Sequence, residues 1–356
     1  MWRRCAGAAR RFSVAPWPLR QPPTVAIIGA PQQYGQPFSG AHRGPGLLRD
    51  GGLRDVLTEL RWHVDDKGDV DMESSEPARS PPPKAASRSS APGAPGAKHA
   101  AAIGAGSKRL FDACVAAHHA GSFVLTLGGD HSVALGSVAA ALAARPETRV
   151  LWVDAHADVN TPPQSPSGNM HGMPLAFLLG LVDRSQDDTA GDFDWIPAKG
   201  LLRPDRLAYV GLRDVDEEER RNLRLLREQG CFVSTMHDVD KSGIGAVMAQ
   251  ALAALGYDAD APAHAWDAAS TGAQPPLHLS FDVDACDPLI APATGTAVRG
   301  GLSYREAHYV CEAAAPFLAS LDVVEVNCEL SDANGAKMTV ELANGLIASA
   351  LGDSIL

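Results

Sequence analysis

The stretch that decides the fold is LWVDAHADVN, residues 151–160. Its first three residues are apolar, and Asp154, His156 and Asp158 follow at alternate positions. Residues two apart in an extended chain point to the same side, so these three polar side chains can converge on one point. An unpaired buried carboxylate costs on the order of several kcal/mol. The pattern therefore predicts a buried strand that ends at a bound cation.

The same arrangement recurs behind two other apolar segments. FVLTL (123–127) is followed by GGDHS, which contains His131, and LHLSF (277–281) is followed by Asp282 and Asp284. A single motif of this kind could be a surface loop or a helix cap. Three such clusters, each directly behind an apolar strand, favour a metal site.

The three clusters supply four carboxylates and two imidazoles. Four carboxylates balance two divalent cations, whereas one cation would leave about two negative charges uncompensated. An oxygen-rich set with imidazole and without thiolate suits Mn²⁺ better than a structural zinc ion. Two ions about 3.5–4 Å apart can lower the pKa of a shared water toward neutrality. The predicted ligands of this two-manganese site are His131, Asp154, His156, Asp158, Asp282 and Asp284.

Apolar strands alternate with Ala- and Leu-rich helices along most of the chain. Strands are predicted at 24–31, 123–127, 149–153, 206–212, 231–235, 277–281 and 321–326, and helices at 104–120, 132–144, 217–229, 243–255, 303–315 and 339–351. Strands that are apolar on both faces and alternate with helices indicate a parallel sheet covered on both sides. We predict an α/β protein with three layers (α/β/α) and a central, mostly parallel sheet. Ligands bind such sheets beyond the carboxyl ends of the strands.

The composition narrows the class of protein. The chain has 356 residues and a formal net charge of −11, which argues against nucleic acid as the main partner. No apolar run is long enough to span a bilayer, so we expect no membrane partner. The six cysteines show no CxxC or CxxH spacing, which argues against a disulfide framework or a zinc–thiolate site. We expect one catalytic domain over residues 24–356.

Three segments depart from the strand–helix pattern. Residues 1–20 contain five arginines and no acidic residue, which is typical of an organellar presequence. We expect import into the mitochondrial matrix, with a plastid or the cytosol as alternatives. Residues 72–98 are rich in Pro, Ser, Ala and Gly and predict a disordered insertion. Residues 258–276 predict a second, shorter one.

The motifs together resemble those of the ureohydrolases, and within that family those of fungal or algal arginases. The matching segments are GGDHS (128–132), DAHAD (154–158), SGNMHG (167–172), GLRDVD (211–216), SFDVDACDP (280–288), ATGTAVRGGLSYRE (293–306) and EVN (325–327). The resemblance implies an arginase-like fold, two Mn²⁺ ions per subunit and a homo-oligomer, with a trimer favoured. It also implies hydrolysis of L-arginine to L-ornithine and urea.

The same resemblance implies three catalytic residues. Asp158 matches a residue that holds and accepts a proton of the attacking water, and Glu325 matches the carboxylate that faces the substrate guanidinium. His171 matches a histidine that returns a proton through water. From the residues alone, Glu325 could instead be a buried ion-pair acid, and His171 an ordinary loop histidine.

The far end of the substrate distinguishes members of the family. An amino acid substrate needs donors for its α-carboxylate and acceptors for its α-ammonium. The loop 160–169 offers amide and hydroxyl groups for the first, and the segment 211–219 offers two acids for the second. The implied substrate-binding residues are Asn160, Ser167, Asn169, Asp216, Glu219 and Thr296.

Two alternative functions stay open at this point. An agmatinase-like enzyme, or a hydrolase of another guanidino compound, would have no α-carboxylate to bind. A non-catalytic, arginase-like binding protein would typically have lost metal ligands, whereas all six are present here.

Overall fold

The computed structural model describes residues 23–73, 96–185, 190–258 and 274–353. The predicted presequence and most of both predicted insertions lie outside these residues. At the edges of the first predicted insertion, Met72 is buried in a core cluster, and the backbone N–H of Lys98 donates to the carbonyl of Gly168 at 2.8 Å. Both edges are therefore anchored to the domain.

In the described residues, eight parallel strands form the central sheet, in the order β2-β1-β3-β8-β7-β4-β5-β6. The strands are β1 (Thr24–Ala30), β2 (His63–Asp69), β3 (Phe123–Gly128), β4 (Arg149–Val153), β5 (Leu207–Leu212), β6 (Phe232–Thr235), β7 (Leu277–Asp282) and β8 (Leu318–Val324). The predicted parallel sheet is confirmed.

Helices connect the strands and cover the sheet. They are α1 (Gly44–Asp50), α2 (Leu53–Glu59), α3 (Ala100–His119), α4 (Ala134–Ala144), α5 (Pro174–Leu178), α6 (Glu217–Glu228), α7 (Met236–Ser242), α8 (Ile244–Ala254), α9 (Tyr304–Ala314) and α10 (Ala333–Ala350). Within the described residues, no helix combines the length and the apolar character needed to cross a membrane.

Alternate strand residues enter different cores, which shows that both faces of the sheet are covered. In β4, Leu151 and Val153 join a cluster that contains residues of α1, α2, α8, α9 and α10. Val150 and Trp152 join another cluster, with residues of α4, α5 and α6. This alternation follows from the two-residue period of a strand. The predicted three-layer arrangement is confirmed.

Strand β2 was not predicted, because its sequence HVDDKGD has no apolar run. It lies at the edge of the sheet and pairs with β1 alone, so it needs few buried side chains. Arg49 of α1 stabilises it by donating to Asp66 at 2.9 Å and to Asp69 at 2.6 Å.

Helix α10 begins six residues before its predicted start, where Asp332 caps it by accepting from the N–H of Gly335 at 2.8 Å.

The strand order determines where the site can form. The chain passes from β3 to β4 across a gap that β8 and β7 later fill, so the carboxyl ends of β3, β8, β7, β4 and β5 are neighbours. In parallel sheets such a change of direction opens a crevice at those ends. All the predicted metal-binding clusters follow these strands.

One buried histidine lies away from that crevice. His118, near the end of α3, is 6% exposed, and within the described residues neither ring nitrogen has a hydrogen-bond partner. Burial, helped by the charge of Arg145, lowers the pKa of His118 from 6.5 to about 3. The folded protein therefore excludes a proton that the unfolded chain accepts.

We expect His118 to make the free energy of unfolding depend on pH. Below pH 6.5 the unfolded chain gains this proton and the folded chain does not until about pH 3. As the pH is lowered from 6.5 to 3, the free energy of unfolding should therefore decrease. This group contributes up to about 1.4 kcal/mol of that decrease per pH unit. Urea unfolding in EDTA should show a shallower pH dependence for His118→Leu, with His119→Leu as the control. Equal slopes for His118→Leu and the wild type would contradict the assignment.

Candidate metal and substrate site

His131 lies at the centre of the first group of ligands. It begins a short 3₁₀ helix directly behind β3. Its Nδ1 atom is 3.0 Å from Asp154 Oδ2, 3.2 Å from Asp158 Oδ2 and 3.1 Å from Asp282 Oδ2. All four side chains are buried, and within the described residues this nitrogen has no hydrogen-bond partner. A buried nitrogen surrounded by three carboxylates fits a divalent cation bound among them.

His156 forms a second group beside the first. Its Nδ1 atom lies 3.1 Å from Asp284 Oδ2 and 3.4 Å from Asp154 Oδ1. Asp154 therefore directs one carboxylate oxygen toward each histidine. Among the described residues, the groups able to hold a metal ion are His131 with Asp154 and Asp158, and Asp154 with His156 and Asp284. The six predicted ligands thus come together as two adjacent positions that share Asp154.

The electrostatics of the cluster call for added positive charge. Burial and the neighbouring Asp154 raise the pKa of Asp158 to about 6. Burial, Asp284 and Asp154 raise the pKa of Asp282 well above its usual range. Burial alone would lower the pKa of His131, but the surrounding carboxylates raise it well above 6.5. Carboxylates buried this close together oppose one another's ionisation, and divalent cations are the compensation that lets all of them ionise.

Further contacts hold the first group in place. His131 Nε2 lies 2.9 Å from Ser280 Oγ, and its ring stacks on Trp152 with the ring centroids 4.1 Å apart. Trp152 Nε1 donates to Asp154 Oδ2 at 3.0 Å. The contact on Nε2 leaves Nδ1 available to bind a metal ion. Neither Trp152 nor Ser280 was identified from the sequence, although both lie within strands next to ligand clusters.

Arg213 supports the second group and was also missed. Its guanidinium donates to the backbone carbonyls of Ala285 at 3.0 Å, Cys286 at 3.2 Å and Val298 at 2.7 Å. It thereby ties the segment that follows Asp284 to the loop that contains Thr296. Thr296 Oγ1 donates to Asp284 Oδ2 at 2.8 Å. Thr296, predicted to bind substrate, therefore orients Asp284, a predicted metal ligand. The sequence feature that could have identified Arg213 is its position inside the GLRDVD motif (211–216).

Glu325 links the metal cluster to the cavity. Its carboxylate accepts from the backbone N–H of His131 at 2.9 Å and from Gln36 Nε2 at 2.7 Å, and it lies 3.3 Å from His171 Nδ1. Burial alone would lower the pKa of His171, but Glu325 raises it to about 9. Gln36 was not predicted, because a neutral residue in a glycine-rich loop has no distinctive pattern.

Two predicted catalytic residues have strained backbones. Asp158 has a φ of 50° and Glu325 a φ of 67°, in the left-handed region that favours glycine. A non-glycine residue held there costs roughly 1–3 kcal/mol. Surrounding contacts must therefore impose these conformations, and they place both carboxylates next to His131.

A cavity of about 130 Å³ opens beside the metal cluster. Its lining residues are His156, Asp158, Asn160, His171, Gly172, Asp216, Glu219, Asp282 and Thr296. Asp216 and Glu219 form a capping box at the start of α6, and burial together with Asp158 and Asp216 raises the pKa of Glu219 to about 8. The structure therefore gathers two acids, as predicted, at the end of the cavity formed by α6.

The predicted carboxylate-binding residues are less closely grouped. Asn160 lines the cavity, but its Nδ2 already donates to Asp216 Oδ2 at 2.7 Å. Ser167 and Asn169 are not part of the lining, and Ser167 Oγ accepts from the backbone N–H of Asn169 at 3.2 Å. The N–H of Asn160 donates to the carbonyl of Gly172 at 3.1 Å, so both ends of this loop return to the cavity. We call residues 161–169 the rim loop.

Comparison with known proteins identifies the family of this chain. The model of the arginase family matches residues 23–352. The chain belongs to the arginase family. It is 39% identical to the arginase of Glaciozyma antarctica over 340 residues, which cover 95% of this chain and 90% of that protein.

Solved structures of family members are also similar to this fold. The arginase from Bacillus caldovelox matches with a TM-score of 0.76 and 32% identity, covering 94% of this chain and all (100%) of that one. The Entamoeba histolytica arginase in complex with L-ornithine matches with a TM-score of 0.72 and 27% identity, covering 94% and 99%. The predicted family and the arginase-like fold are confirmed.

Removing one ligand from either group should remove one bound ion. We expect Asp158→Ala to weaken the position at His131 and Asp284→Ala to weaken the position at His156, because Asp158 lies against His131 and Asp284 against His156. After incubation with Mn²⁺ and desalting, elemental analysis should find about one ion per chain in each variant. Asp112→Ala, at an exposed acid of α3, is the control and should match the wild type. Two retained ions in either ligand variant would contradict the assignment.

Proposed function

We propose that this chain hydrolyses L-arginine to L-ornithine and urea with two Mn²⁺ ions held by the six-residue cluster. The observation that carries the proposal is the pair of buried ligand groups sharing Asp154, next to a cavity lined by further acids. Family membership and the arginases among its relatives support the same reaction.

The ligand set fits two manganese ions. It offers four carboxylates and two imidazoles without a thiolate, and the orphaned Nδ1 of His131 faces three of those carboxylates. When bound, two such ions would polarise a water for attack and neutralise the four carboxylates. Ser280 and Thr296 hold His131 and Asp284 in the orientation that this binding needs.

The remaining acids match the charges of the substrate. L-Arginine carries a guanidinium at one end and an α-ammonium at the other. Outside the ligand set, Glu325 lies beside His131, while Asp216 and Glu219 lie at the start of α6. In the proposed complex Glu325 faces the guanidinium, and the two acids of α6 accept from the ammonium. An ammonium there would also favour ionisation of Glu219, whose pKa is about 8.

His171 is placed to supply a proton to the leaving group. In the reaction, the oxygen of water bonds to the guanidinium carbon and gives up a proton to Asp158, and the bond from that carbon to the ornithine nitrogen breaks. That nitrogen must gain a proton. His171 lines the cavity, and with a pKa of about 9 it is protonated at neutral pH. Its Nδ1 faces Glu325, so the ring is held while Nε2 donates.

Arginine is favoured over agmatine by the rim loop. Asn169 and Ser167 offer amide and hydroxyl donors near the cavity, and only a substrate with an α-carboxylate would use them. A non-catalytic binding protein is disfavoured because all six ligands are present and converge. The mitochondrial location and the trimer stay predictions, since residues 1–20 lie outside the described part and the structure contains one chain.

The test compares urea release by the wild type and by two glutamate variants. The wild type, loaded with Mn²⁺, should release urea from L-arginine. Glu325→Gln should lower kcat by about 10–100-fold, because it removes a charged partner of the guanidinium and of His171. Its manganese content should be unchanged, since Glu325 accepts from the backbone N–H of His131 and is outside the predicted ligand set.

Glu329→Gln provides a matched control four residues further along. Glu329 is exposed and pairs with Arg43 at 3.2 Å, so its removal should leave kcat unchanged. A wild type that releases no urea from arginine would refute the proposed function. Wild-type kinetics in Glu325→Gln would instead show that Glu325 has a structural role and no catalytic one.

A further inference from the structure

Lys98 lies beside the rim loop and contacts it twice. Its Nζ donates to Asn169 Oδ1 at 3.2 Å, and its backbone N–H donates to the carbonyl of Gly168 at 2.8 Å. The residue lies two positions before the start of α3, and its side chain is exposed. None of the described acids forms an ion pair with this ammonium group. Its charge is therefore available to a ligand that approaches the rim.

The cavity itself poses an electrostatic problem for an α-carboxylate. Asp158, Asp216, Glu219 and Asp282 are part of its lining, to which the described part of the chain contributes no lysine or arginine. Asn160, the predicted donor inside the cavity, already donates one amide N–H to Asp216. A carboxylate on the substrate would meet acids of the same charge unless positive charge and free donors lie at the rim.

Lys98 supplies the positive charge, and its contact with Asn169 supplies the oriented donor. Because the ammonium donates to Oδ1, the amide is fixed with its oxygen toward Lys98. The Nδ2 group then points away from Lys98 and donates to none of the described side chains, so its protons are available to another acceptor. The positive charge of Lys98 is hydrogen-bonded to the same amide group that carries Nδ2. It would therefore stabilise a carboxylate that accepts from Nδ2.

We infer that Lys98 determines specificity at the proposed active site by orienting the amide of Asn169 and by attracting the α-carboxylate of an amino acid substrate. The inference rests on the proposed hydrolysis of arginine. Lys98 is a positioning residue, since it acts through Asn169 and through its charge and takes no part in bond breaking. It explains how an acid-lined cavity can accept a substrate that is itself partly anionic.

The test measures kcat and KM for L-arginine and for agmatine, which lacks the carboxylate. Lys98→Met should raise KM for arginine on the order of ten-fold and leave its kcat within about two-fold. The kcat/KM for agmatine should be unchanged. Lys98→Arg, which keeps the charge, should recover most of the affinity for arginine. Added salt should raise KM for arginine in the wild type more than in Lys98→Met.

Lys108→Met is the matched control. Lys108 is also a lysine, but it lies on α3 and pairs with Asp112, with its Nζ 2.6 Å from Asp112 Oδ2. It should behave as the wild type on both substrates. An unchanged KM for arginine in Lys98→Met would overturn the inference, and so would an equal loss on arginine and agmatine. A wild type inactive on arginine would refute the proposed function and the inference with it, whereas a failed inference alone would leave wild-type urea release intact.

Discussion

Four carboxylates buried around two histidines are the constraint on which the rest of this structure depends. Asp154, Asp158, Asp282 and Asp284 are each at most 6% exposed, and they approach the nitrogens of His131 and His156 at 3.0–3.4 Å. So much negative charge in a low-dielectric interior is costly unless cations share the site. The supporting contacts from Trp152 and Arg213 have the effect of keeping these groups together.

The sheet topology makes this concentration of charge possible. Each ligand cluster follows directly behind a different strand, and the order β3-β8-β7-β4-β5 makes these strand ends neighbours. Glu325 enters from β8, between the strands that carry His131 and Asp282. The loop after β5 and the start of α6 then add Asp216 and Glu219 at the open side. The acids of the histidine cluster and the acids of α6 thus lie along one crevice, and they line the same cavity.

The parts that could be predicted from sequence share one physical property, a strong local pattern. An apolar strand that ends in alternating acids is unusual enough to predict that the acids converge on one cluster, and the alternation of strands and helices predicted the sheet. Strand β2 was missed because an edge strand needs no apolar face. The role of Gln36 was missed because its partner, Glu325, is 289 positions away in sequence. Asn160 was assigned to the carboxylate, but the folded chain has already engaged it with Asp216.

A titration of metal-free protein with Mn²⁺, followed by urea release and by elemental analysis, tests the central claim most directly. Two adjacent positions that share Asp154 should take up two ions per chain, and urea release from L-arginine should appear only as the second position fills. The protein should also resist unfolding better with each ion, because each one compensates buried carboxylates. Full activity with one ion per chain, or saturation below two, would contradict the account.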